Sequence, residues 1–225
     1  MIKWLEQAFD VRPHERRLVW LFFACFLGVG MIYTIGATVG DTLFLSNLAH
    51  AQVARRLPYV YLGIAVANVL SAVVFAAVQS RVSRTISIVG TQVVLAVTVL
   101  LARQLVEIDT GVVYFGLVIW LEAVALTSVT LCFSFAGDYF NARDARRLFG
   151  FISGGMALGT VLGGASIQLF VALLGTKNLL FVASGILLSN AALTAVIFRV
   201  GKPVQSDAHE STAAHDAELS LGGLL

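Results

Sequence analysis

Residues 112–135 read VVYFGLVIWLEAVALTSVTLCFSF, with one charged residue, Glu122, near the middle. About 20 mostly apolar residues suffice to cross about 30 Å of hydrocarbon, so this run is long enough to span. The alternation of a lipid-facing β-strand is absent from it. In lipid every backbone polar group must bond within its own segment, which makes the run a transmembrane helix. Working outward, five more runs have the same character: residues 18–39, 57–78, 86–105, 149–174 and 179–198. The composition agrees. The chain has 225 residues, 58% hydrophobic and 12% charged, with a mean hydropathy of +0.88. A soluble domain carries about 25% charged residues. Half that fraction leaves too little polar surface to cover a water-soluble globule. The expected fold is all-α: a polytopic membrane protein with six transmembrane helices over 18–198.

Lys and Arg set the expected orientation. Lys3, Arg12, Arg16, Arg17, Arg81, Arg84, Arg143, Arg146, Arg147, Arg199 and Lys202 fall on one side, and Arg55, Arg56, Arg103 and Lys177 on the other. The positive-inside rule then places both termini in the cytoplasm. Such a bias argues against a dual-topology arrangement, whose counts would be nearly balanced. The basic residues lie in short clusters between apolar runs, so no nucleic-acid partner is expected; the expected surroundings are the lipid bilayer. The start of the chain, MIKWLEQAFDVRPHERR, is too long and too acidic for the first region of a cleavable signal peptide, so the first span is expected to be an uncleaved anchor.

The flanking segments have readings of their own. Residues 1–17 form a cytoplasmic amphipathic segment: Ile2, Leu5 and Phe9 repeat at helical spacing and suit a helix on the membrane surface, and Pro13 ends it. In the fourth loop, Tyr139, Phe140 and Phe149 bracket Arg143, Arg146 and Arg147. This predicts an interfacial helical turn with its arginines toward lipid headgroups or acidic partners. Residues 199–225 are polar and aperiodic and read as a flexible cytoplasmic tail or linker.

Function in a membrane bundle is sought first among groups that are costly to place in lipid. Glu122 is the only acidic or basic residue at mid-span depth, and Asn68 and Asn190 lie near the middle of the second and sixth spans. Together they suggest a polar layer at the midplane, lining a substrate path. Glu122 reads either as a proton-titrating or substrate-binding group, or as a structural carboxyl bonded to Asn68, Gln92 or a neighbour in its own span. Asp41, at the outer end of the first span, reads as a helix cap or loop residue before a substrate contact. Gly36 and Gly40 beside it allow either close helix packing or an unwound stretch lining a cavity. Gly155, Gly159 and Gly163 repeat every fourth residue and predict a bare helix stripe that a neighbour approaches closely. Cys25 and Cys132, isolated in apolar runs, read as small packing residues. His14, His50, His209 and His215 lie outside the spans with no metal-ligand spacing. No catalytic constellation, cofactor motif or metal site is expected, and the chain reads as a non-enzyme.

A family resemblance rests on several stretches. RPHERRLVWLFF (12–23), YTIGATVGDTLFLSNLA (33–49), LPYVYL (57–62), Glu122 and FAGDYFNARDARRLFGFISGGMALGTVLGG (135–164) together resemble the N-terminal half of the ATP/ADP translocase (nucleotide transporter) family. The resemblance covers residues 12–164, most specifically 138–164. It implies a major-facilitator-type half bundle in the bacterial inner membrane. It also implies solute movement by alternating access, with a nucleotide or other small solute as cargo. In that family Glu122 matches a glutamate of the fourth span. Transporting members carry a Lys just before the first-span Asp and another basic residue a turn earlier, where this chain has Gly40 and Ala37. The family Trp after Phe in the fourth span is Ser134 here. Such a transporter rocks two six-helix halves about a central site. The missing wall then comes from a second six-helix half, a homodimer mate or a separate subunit. The alternative is a membrane anchor or regulatory module that binds a partner protein.

Overall fold

The computed structural model describes residues 15–46, 50–108 and 110–201; at 50–54, 142, 143 and 145 only the backbone is described. The amphipathic segment up to residue 14 and the tail from residue 202 lie outside the described residues. Among the described residues six long helices make up the fold: α1 (Arg16–Ser46), α2 (His50–Gln79), α3 (Arg84–Leu105), α4 (Gly111–Gly137), α5 (Ala142–Leu174) and α6 (Leu179–Val200). Each is long and apolar enough to cross a membrane, which makes this an all-α, membrane-embedded chain.

The helices overrun the apolar runs. α1 has 31 residues, about 46 Å at 1.5 Å per residue, well beyond the hydrocarbon thickness. It continues through Gly36, Gly40 and Asp41, so no stretch is unwound there and Asp41 caps nothing. α2 starts at His50 and carries Pro58 inside it, where sequence patterning starts the span at residue 57. The fourth loop shrinks to residues 138–141, and the segment with Arg143, Arg146 and Arg147 is the first part of α5 rather than a separate turn. α5 ends at Gly175, whose φ of 80° is one that side-chain-bearing residues rarely adopt. A short 3-10 turn, Thr176–Asn178, leads into α6.

α1 is the hub, packed on α4, α5 and α6; α3 packs chiefly on α6. Lipid tails are as apolar as leucine, so no hydrophobic driving force joins helices there, and close van der Waals packing must hold them. Two devices supply it. One is an aromatic cluster: the Phe22 ring lies 5.1 Å from Phe135, 5.5 Å from Tyr139 and 5.3 Å from Phe140, and Phe135 lies 4.8 Å from Phe198. These contacts tie α1, α4, α6 and the α4–α5 loop at one end of the bundle. The other is the α1–α5 seam. Gly155, Gly159 and Gly163 of α5 face the backbone at Phe23, Leu27 and Met31, and Gly30 of α1 faces the Met156 carbonyl. Thr34 adds a hydrogen bond across the seam, its hydroxyl donating to the Thr160 carbonyl at 3.4 Å.

α2 and α5 are the least buried of the six spans. Only 6% of the α2 span and 11% of the α5 span are buried, against 39% to 50% for the other four. α2 leans mainly on α4 and α5 on α1, so each leaves an apolar face uncovered.

Candidate carboxyl groove

Glu122 gets its direction from its neighbours on α4. Val118 packs against Gly40 of α1, where a Cβ would lie 3.3 Å from the Val118 Cα. Ile119 packs against Gly63 of α2, with its Cγ1 3.2 Å from the Cβ position there. At about 100° per residue, Glu122 falls between these two contact directions, in the groove where α1, α2 and α4 meet. It is half-buried. Asp41, one residue past Gly40, is exposed and near enough for its charge to act on Glu122. Neither carboxyl has a hydrogen bond or ion pair with another described residue. Among the described residues no cation is paired to either of these acidic groups.

The other predicted path residues divide. Asn68 lines a cavity of about 280 Å³ between α2 and α4, together with Ser71, Thr127 and Thr130. α2 and α4 are in register at Gly63 and Ile119. Asn68 is therefore about 7 Å further along α2 and Glu122 about 4 Å further along α4, close in depth but with no hydrogen bond between them. Asn190 belongs elsewhere. It is 2% exposed and packs from α6 onto Gly28 of α1. Gly28 lies two turns, about 12 Å, from Gly36, which faces Leu121. The expected layer of three is thus a groove with Glu122, Asp41 and nearby Asn68, and Asn190 sits in the core. Gln92, one expected partner of Glu122, instead accepts a hydrogen bond from the Thr194 hydroxyl at 3.3 Å.

Charged side chains cluster at the helix ends. Arg84, at the start of α3, forms an ion pair with Asp138 at the C-cap of α4. Its Nη2 donates to Asp138 Oδ1 at 2.7 Å and to Ser134 Oγ at 3.1 Å. Arg147 pairs with Glu15 at 2.8 Å and Asp144 at 3.3 Å, so this arginine binds within the protein instead of reaching toward headgroups. Arg146 is exposed, and the side chain of Arg143 lies outside the described residues. At the opposite end Arg103 pairs with Glu107 and donates to Asn178 Oδ1 at 2.9 Å. Burial, reinforced by the Asp138 carboxylate, pushes the Tyr139 phenol up to about 12. Sequence patterning missed the Arg84–Asp138 pair, since the partners are 54 residues apart and only packing of α3 against α4 joins them.

The two cysteines, far apart in sequence, meet in the core. Cys25 Sγ and Cys132 Sγ lie 3.2 Å apart as free thiols, and Thr194 Oγ1 is 4.0 Å from Cys25. Among the described residues no three His, Cys, Asp or Glu side chains converge as a metal site. Comparison with protein-family models, with curated proteins and with solved structures found no match to this chain.

Proposed function

We propose that the chain is one six-helix half of a solute transporter of the nucleotide-translocase, major-facilitator type. In this reading it works by alternating access in a bacterial inner membrane, with both termini cytoplasmic. It is a carrier and not an enzyme. One observation carries the reading: Glu122 is half-buried where α1, α2 and α4 meet, Asp41 is near enough for its charge to act on it, and among the described residues no cation is paired to either. Ionisable groups inside a membrane bundle face a wet cavity or the bundle interior and mark solute or proton paths. Here the pair would take up a proton, a cation or a hydroxyl-bearing group.

The uncovered helices supply the second element. Leu62, Val66, Val69 and Val73 form one exposed stripe on α2, and Leu158, Leu162, Leu169 and Leu173 another on α5. In the proposal a second half, a copy of this chain or a separate subunit, closes the groove against these two helices. The isolated six-helix chain is then not a functional monomer. The test is uptake by vesicles carrying the assembled protein. Glu122→Gln is expected to abolish uptake and leave the melting temperature unchanged. Undiminished uptake by that variant defeats the assignment.

A second reading, a non-transporting anchor or regulatory module, draws support from Gly40. Where the family has a Lys, this position packs on Val118, and a Cβ there is already within 3.3 Å of backbone. A phosphate-binding cation at this site would need α1 and α4 to give by a few tenths of an ångström. Vesicles that take up no labelled ATP, ADP or other solute, while a partner protein co-purifies through the tail, favour that reading.

A further inference from the structure

On the other side of the α2–α4 contact from Glu122, α2, α3 and α4 enclose an apolar crevice of about 580 Å³. Leu70, Val74 and Val78 of α2, Ile86 and Val94 of α3, and Trp120 of α4 line it. Along α2 it runs from Ala67 to Val78, about 16 Å, which matches one leaflet of a bilayer with about 30 Å of hydrocarbon. A convex helix face lets lipid slide past. This crevice has helix on three sides and the depth of one acyl chain.

Ser71, Thr91 and Thr127 are spread along its wall, but the charged groups lie at one end. The turn at residues 80–83 joins α2 to α3 there, and Val82 of that turn lines the crevice. Arg81 in the turn is exposed and pairs with no described residue. Arg84 follows, its side chain 41% exposed although it binds Asp138. Two guanidinium groups against one carboxylate leave a positive charge in excess. Ser87, one turn further in, lines the crevice and is only 1% exposed, and its hydroxyl has no hydrogen-bond partner. An unpaired buried hydroxyl is costly, and a ligand acceptor at this depth would relieve it.

We propose that this crevice is a binding site for an anionic phospholipid. One acyl chain lies between α2 and α3 with its end toward Trp120, the ester groups lie near Ser87, and the phosphate lies at Arg81 beside Arg84. The chain supplies the fit and the headgroup charge the selectivity. The proposal does not depend on transport.

The experiment uses the full chain with Trp4→Phe and Trp20→Phe, which leaves Trp120 as the one tryptophan. The protein is placed in phosphatidylcholine vesicles doped with brominated-acyl phosphatidylglycerol or brominated-acyl phosphatidylcholine at equal mole fraction. Trp120 fluorescence is expected to be quenched about fivefold more effectively by the anionic lipid, the worth of about one basic side chain at an anionic surface. Arg81→Gln is expected to remove that preference. Gly90→Phe is expected to remove quenching by both lipids, because Gly90 lines the crevice and nothing lies within 4 Å of a Cβ placed there. If Gly90→Phe fails to fold by circular dichroism, Gly90→Leu takes its place. Equal quenching by the two lipids in the parent protein means annular lipid only and overturns the proposal. So does a preference that survives Arg81→Gln, or quenching that survives the filled crevice.

Discussion

Adding one methyl group at Gly159 should weaken the protein more than adding it at any other glycine of α5. At Gly155 the new Cβ would stand 2.5 Å from the Phe23 carbonyl oxygen, about 0.9 Å inside the 3.4 Å where ordinary contact begins. At Gly163 the nearest atom is the Met31 Cα at 3.1 Å, a smaller overlap. At Gly159 the overlap with the Leu27 carbonyl is the deepest of the three. The nearest obstacle at each of the three is backbone, so no rotamer change relieves it, and α5 must withdraw from α1 along the whole seam. A gap of about 0.5–1 Å already forfeits a quarter to a half of each van der Waals contact. Overpacking costs about 1–3 kcal/mol, and Gly159→Ala belongs at the top of that range, followed by Gly155→Ala and then Gly163→Ala. Gly154→Ala and Gly185→Ala, with nothing within 4 Å of the added carbon, are the controls. The assay is equilibrium unfolding by SDS titration in mixed micelles, followed by far-UV circular dichroism. If Gly159→Ala falls within about 0.5 kcal/mol of Gly154→Ala, the size of an ordinary surface change, α1 and α5 do not touch backbone to backbone and the account of the seam is wrong.

Three further outcomes follow from individual groups. Arg84→Gln should destabilise more than Asp138→Asn, because it strands a carboxylate that is 10% exposed, whereas the reverse leaves a guanidinium that is 41% exposed and can reach water. Equal losses in the same titration would show that the pair is mere surface charge. Asn190→Leu should be neutral or stabilising by about 1 kcal/mol, since the Asn190 Nδ2 is buried without a partner; a loss of similar size would reveal a bond that the amide makes. The Tyr139 phenol ionises near 10 when unfolded and at about 12 in the folded protein, so between those values the folded state holds the extra proton and stability falls as pH rises. Tyr139→Phe should flatten that alkaline loss in melting curves from pH 9 to 12, and an unchanged slope would place the titration elsewhere.

The number of helices and their membrane character were legible in the sequence because both follow from length and apolarity along a single run. Glu122 was legible for the same reason: one charge in an apolar span needs no neighbour to be conspicuous. The glycine stripe of α5 was visible as a period, but its partner, α1, was not, because a bare helix face does not name what fills it. Helix ends were read short, since polar residues such as Asp41 and the arginines of α5 look like loop residues although the backbone continues past them.

What the chain's residues determined alone is therefore one-dimensional: six lipid-crossing rods, their lengths, and one acidic group within the fourth. Tertiary packing decided everything that depends on which faces meet. It brought Asp41 near enough for its charge to act on Glu122, sent Asn190 into the core against Gly28, brought Cys25 to Cys132, and joined Arg84 to Asp138. The physical reason is that lipid accepts any apolar face equally. In water, hydrophobic periodicity tells a helix which side to bury; here small residues, fitted rings and paired charges choose the neighbours, and these act only when distant segments come together.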